Sequence, residues 1–100
     1  MNIFNMMKQA RELQSKIKET QKNLNKSIVE GSAGNNSVVI KMTGDQKLKL
    51  VKINPENIKN NQELEKLIFQ AMNDTLEKSK KLVAEQMSNA TGGLNIPGLT

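Results

Sequence analysis

Apolar positions in the first quarter of the chain, Ile3, Met6, Met7, Ala10, Leu13, Ile17 and Leu24, recur at intervals that line one face of a helix. The pattern predicts a helix over residues 3–25. Ala10, Leu13, Ile17, Thr20 and Leu24 also keep heptad register, so this helix can pack on a sheet or on another helix. From Lys26 the period changes. SIVEG, VVIKM and KLKLVKI are short and rich in β-branched residues, and AGNN and TGDQ separate them, which predicts three antiparallel strands. In the third, Leu48 and Leu50 are out of phase with Val51 and Ile53; either a bulge re-aims the chain near Leu50 or both faces are partly covered. Pro55 offers no ladder donor and ends that strand. Asn60 or Asn61 can cap a second helix over residues 62–89, whose broad apolar face runs through Leu64, Leu67, Ile68, Ala71, Met72, Leu76, Leu82 and Val83. Gly92 and Gly93 supply its stop, and the closing LNIPGL is an apolar tail expected to be mobile unless it docks.

The order makes an α+β fold, helix–three-stranded antiparallel sheet–helix, as one domain over residues 1–91 followed by a tail over residues 92–100. At about 1.5 Å per residue the helices extend about 35 and 40 Å, whereas strands of about six residues reach only about 20 Å. Both helices must therefore overhang the sheet. An overhanging apolar stripe needs another surface and a three-stranded sheet has bare edges, so dimerisation through the sheet and the long helices answers both needs. Size points the same way. With 36% hydrophobic residues and only two aromatic ones, Phe4 and Phe69, both assigned to core positions, the core of one chain is thin.

The glycines and asparagines of GSAGNNSVVIKMTG, residues 31–44, pose the choice between a phosphate cradle and a hairpin. A cradle needs a helix N-terminus after the loop, or Gly-Lys-Ser/Thr within it; here a strand follows, so a hairpin is expected, with Gly34 or Asn35 at positive φ. Catalysis has little to work with. The chain lacks Cys, His and Tyr, and its carboxylate pairs are Glu63 with Glu65, which do not share a helix face, and Asp74 with Glu77, which is mixed with lysines. A non-enzymatic protein follows, without cofactor, metal or small-molecule substrate. No signal-like or membrane-spanning run occurs, and the absence of cysteine makes the reducing cytoplasm the natural compartment.

Net charge is +5, and the excess is uneven: residues 1–30 carry six basic and three acidic side chains, whereas residues 61–100 carry four and five. At about 100° per residue, Lys8, Arg11, Lys18 and Lys22 fall within roughly an 80° sector of the first helix, turned away from Ala10, Leu13 and Ile17, with Lys26 at its margin. Such a rail can meet several phosphates along a duplex. The same pattern also serves merely to keep a helix soluble, and Glu12 and Glu19 could pair with Lys16 or Lys22 and weaken its field. Lys41, Lys47, Lys49 and Lys52 make a second basic set on the strands, better read as edge protection. With both phenylalanines assigned to the core there is no platform for unpaired bases, and a single arginine leaves little for guanine readout. Duplex backbone is the expected target, with weak sequence specificity.

Several segments are similar to one family, the bacterial YbaB/EbfC nucleoid-associated proteins. MMKQARELQSKI resembles its opening helix, AGNNSVVIKMTG its first hairpin and second strand, VKINPENI the end of its third strand, AMNDTLEKSKKL its long last helix and GGLNIPGL its tail. The resemblance implies a tweezer-like homodimer that binds double-stranded DNA and helps organise the nucleoid in the cytoplasm. It points to Lys8, Arg11, Lys18 and Lys22 on the first helix and to Lys78 and Lys81 on the last as DNA contacts. Asn73 and Asp74 match an Asn-Asp pair, for which a structural role, such as hydrogen bonding between the helix and the partner subunit, is favoured over DNA contact, since negative Asp74 would repel phosphate. The tail here lacks the additional basic residues that some members carry. One alternative is a helical interaction or chaperone-like protein that holds a protein partner through the first helix. Another places that helix on an anionic membrane, against which its narrow apolar face and lack of Trp argue.

Overall fold

The computed structural model describes residues 2–92 and resolves them into α1 (Ile3–Leu24), β1 (Ile28–Ala33), β2 (Val38–Thr43), β3 (Leu48–Ile53), a 3-10 turn (Pro55–Asn57) and α2 (Asn61–Ala90). Asparagines start both helices: the Asn2 side-chain oxygen accepts the Phe4 N–H at 3.0 Å, and that of Asn60 accepts the Glu63 N–H at 2.8 Å. Thr91 caps the end of α2, and Gly92 follows with φ of 65°, a left-handed conformation that glycine adopts without strain. Gly93 and the rest of the expected tail lie outside the described residues.

The sheet is antiparallel in the order β1-β2-β3. Gly34, Asn35 and Asn36 take positive φ in succession, and Ser37 returns both its N–H, at 3.1 Å, and its hydroxyl, at 2.6 Å, to the Gly34 carbonyl. This is a strand-to-strand turn, so the cradle reading falls. Pairing of Lys41 with Leu50 and of Met42 with Leu48 leaves Lys49 as an extra residue on β3, a bulge. It resolves the phase break in the sequence: Leu48, Val51 and Ile53 come to the same face as Met42, Ile40 and Val38, their partners on β2.

α2 lies across that face, over β1 and β2 but not over β3. Val38, Ile40 and Ala71 are fully buried, with Ala33, Leu64, Leu67, Ile68 and Met72 packed around them. The helix comes close because Ala71, Thr75 and Ser79, all small, face the sheet, and because Gly31 sits under Thr75; a Cβ at Gly31 would lie 2.5 Å from the Thr75 amide nitrogen. At the far end of the sheet three elements meet. The Gly44 N–H donates to the carbonyls of Leu24 and Ser27, at 2.9 and 3.1 Å, while the Ser79 hydroxyl lies 3.2 Å from the Gly44 carbonyl. Beyond this junction α1 runs beside the C-terminal part of α2, and the described chain reaches 67 Å in its longest dimension.

Two core assignments from the sequence do not hold within one chain. Phe4 is 78% exposed and Phe69 is 68% exposed. Phe4 lies on the side of α1 opposite its packed stripe. Phe69 lies on the flank of α2 towards β3, a strand that α2 does not cover and over which no other described helix lies.

Candidate nucleic-acid interface

α1 is anchored by its lower stripe, in which Leu24 is buried and Leu13 and Ile17 are half-buried. That packing fixes which side faces water. Lys8, Arg11, Lys18 and Lys22 are all exposed, and over about 21 Å of helix they hold the sector opposite the stripe, as the spacing predicts. The neutralising contacts weighed in the sequence are absent: among the described residues, the ion pairs are Lys47 with Asp45 at 3.7 Å and Lys78 with Asp74 at 3.2 Å. Glu12 and Glu19 pair with neither Lys16 nor Lys22. Four cations therefore face solvent along one rigid rod with no carboxylate bound to them.

The basic residues of α2 are placed differently. The Lys78 ammonium is held between the Asp74 carboxylate and the Glu30 carbonyl, 3.1 Å away, so it works as a clamp between α2 and the β1 edge. Lys81 is exposed nearby on α2. Asp74 also accepts the Ser32 N–H at 3.1 Å; this bond and then Lys78 hold its carboxyl below the usual carboxylate value. The expected structural role of Asp74 thus has its partner in the chain's own β1. On the sheet, Lys47 is engaged by Asp45 and Lys49 occupies the bulge. Lys41 and Lys52 lie with Glu30 on the face that α2 leaves open.

A second surface was only partly legible in the sequence. Leu48, Val51 and Ile53 extend the core face onto β3 yet remain 52%, 48% and 41% exposed. With Phe69 on the adjoining flank of α2 and the outer edge of β3, which no described strand pairs, they form an apolar face with no cover among the described residues. The alternation of KLKLVKI held the signal, but the bulge hid which residues share a side. Met6, Ala10 and Leu13 line an open cleft of about 490 Å³ with Ala90, Thr91 and Gly92, so the upper stripe of α1 is open on one side while its lower part is spent on α2. Among the described residues no helix is long and apolar enough to cross a membrane, and no three His, Cys, Asp or Glu side chains cluster as a metal site would need.

The model of the YbaB/EbfC DNA-binding family matches residues 1–94. A nucleoid-associated protein of Afipia carboxidovorans is 45% identical over 100 residues, covering 98% of this chain and 95% of the relative. One of Caldanaerobacter subterraneus is 39% identical, covering 98% and 90%. One of Legionella pneumophila is 40% identical over 97 residues, covering 96% and 87%. A crystal structure of an uncharacterized protein from Helicobacter pylori matches with a TM-score of 0.79 over 92% of this chain and 99% of that one; at 13% identity the likeness is one of fold.

Proposed function

The chain belongs to the YbaB/EbfC DNA-binding family, and from that premise we propose that it is a nucleoid-associated protein that grips duplex DNA as a homodimer, by phosphate contacts from α1. The family is one of DNA-binding proteins and not of enzymes. The observation that carries the mode of binding is the unpaired rail of Lys8, Arg11, Lys18 and Lys22 on an exposed helix face. Such cations meet phosphates at any sequence and carry no base code, so affinity is set by charge and salt and specificity is slight. Lys81 adds to the field from α2. Lys78, already shared between Asp74 and Glu30, contributes charge at a distance more than a direct contact.

Pairing of two chains rests on the apolar face of β3 and α2. Among the described residues the hydrophobic cluster has three fully buried side chains, a small core, and Leu48, Val51, Ile53 and Phe69 are the apolar area that a second copy would remove from water. Two rails on one body raise the effective concentration of each for the same duplex. Val51→Asp, which sets a carboxylate in the middle of that face, is expected to convert the dimer to single chains in sedimentation velocity. DNA affinity should fall at least about tenfold with it. A Val51→Asp protein that keeps the mass of two chains would remove this face as the pairing surface.

A further inference from the structure

The rail has an aromatic residue on it. At about 100° per residue Phe4 falls within roughly 40° of each of Lys8, Arg11, Lys18 and Lys22, and about 140–180° from Leu13, Ile17 and Leu24. It stands about 6 Å beyond Lys8 along the helix axis, at the end furthest from the sheet. Its ring is exposed, Ile3 and Met7 beside it are exposed as well, and the first turn of α1 contains no acidic side chain. We infer that Phe4 is a wedge which enters the stack of a base step next to the phosphates held by Lys8 and Arg11, and so kinks the duplex.

This rests on the phosphate-gripping reading and adds to it a contact with the bases. An apolar knob on an arm has two candidate occupants, a second copy of the tip or nucleic acid, and the charges decide between them. Tip-to-tip association would bring Lys8 and Arg11 of one copy against those of another, with no carboxylate bound to either. A duplex instead offers anions to both residues and, where a base step is partly unstacked, an apolar gap between neighbouring base pairs that a ring can fill. Phe, Met and Ile are side chains that partly unstack base steps in this way, bending DNA by about 20–90°. The wedge reads how readily a step opens and not its hydrogen-bond edges, which is compatible with weak sequence specificity.

The test uses the whole protein and a mixed-sequence duplex with a fluorescent pair at its ends, a second duplex carrying 2-aminopurine, and sedimentation without DNA. Wild-type protein is expected to shorten the end-to-end distance and to raise 2-aminopurine emission. Phe4→Leu keeps both changes. Phe4→Ala loses both, while the slope of log affinity against log salt is unchanged and affinity falls less than about tenfold, since the phosphate contacts remain. Because Phe4 is exposed, neither substitution removes core packing. Bending by Phe4→Ala equal to that of wild type, or wild-type protein that binds with a steep salt slope yet leaves DNA straight, overturns the wedge and leaves the rail standing. A drop in mass of Phe4→Ala without DNA overturns it in favour of a second copy at the tip. Absence of any duplex binding by wild-type protein at low salt overturns the rail and the wedge together.

Discussion

Replacing Lys8, Arg11, Lys18 and Lys22 with Glu is expected to abolish measurable duplex binding while leaving the fold and the dimer intact. The size of the effect follows from counterion release. If each cation meets one phosphate, the contribution to log K is about 0.9 per contact for each tenfold drop in salt below 1 M. Four contacts then amount to about 3.6 decades at 0.1 M, before the added repulsion of four new carboxylates. All four residues are exposed and outside the α1 stripe, so the variant should melt within a few degrees of wild type. Replacing Lys41, Lys49 and Lys52 in the same way provides the contrast: the loss should be far smaller, because these cations sit on the sheet and not along the rod. Electrophoretic mobility shift or fluorescence anisotropy at low salt measures both. Equal losses per charge reversed in the two sets would mean that net charge alone, and not the rail, governs binding.

The second large effect falls on the fold. Gly31→Ala is expected to destabilise the chain by about 3 kcal/mol, the upper end of what overpacking usually costs, out of a total that for domains of this kind is roughly 5–15 kcal/mol. The added Cβ would stand 2.5 Å from the Thr75 nitrogen and 2.8 Å from its Cα, and backbone atoms in the middle of a helix cannot rotate aside as a side chain can. Relief requires α2 to lift from β1, which would open the layer between Ala71 and Ile40 and break the Asp74–Ser32 bond. By thermal circular dichroism the midpoint should fall by more than about 10 °C. Thr75→Ala should not rescue it, because the obstructing nitrogen and Cα remain. Rescue by that substitution would mean that only the Thr75 side chain, and not the close approach of helix to sheet, requires glycine.

What could be read from the sequence was local. The asparagine before each helix, the period change after Lys26 and the turn around Gly34 each announce themselves within a few residues, and the structure has them within one or two positions. The rail was legible for the same reason, since its members share one helix and only an angle per residue is needed to align them. Contacts between distant residues were not. Asp74 meets Ser32 across 42 positions, and no pattern around Asp74 says that its partner is β1 of the same chain and not another subunit. The family resemblance points to Lys78 as a DNA contact, and its engagement with Glu30, 48 positions away, leaves no trace in the local sequence. Residue type alone places Phe4 and Phe69 in the core, and the structure leaves both exposed. For Phe4 the corrective signal was present, because its helical angle coincides with that of Lys22. For Phe69 it was not, since its exposure follows from how far α2 reaches over the sheet.

Those contacts also explain why the rail is a rod and not a loose arm. Leu24, Gly44 and Ser79 tie the base of α1 to the end of the sheet and to α2, so cations on α1 keep their spacing relative to the body. A fixed spacing is what lets several phosphates be met together without a separate ordering cost for each.

The most direct measurement is the affinity of the wild-type protein for two unrelated duplexes across a salt series, with its sedimentation recorded alongside. A body formed by two chains with exposed rails is expected to bind both duplexes within a few-fold of each other, with log K falling against log salt at a slope of about −4 or steeper. A slope near zero, strong preference for one duplex, or a single chain in sedimentation would contradict it.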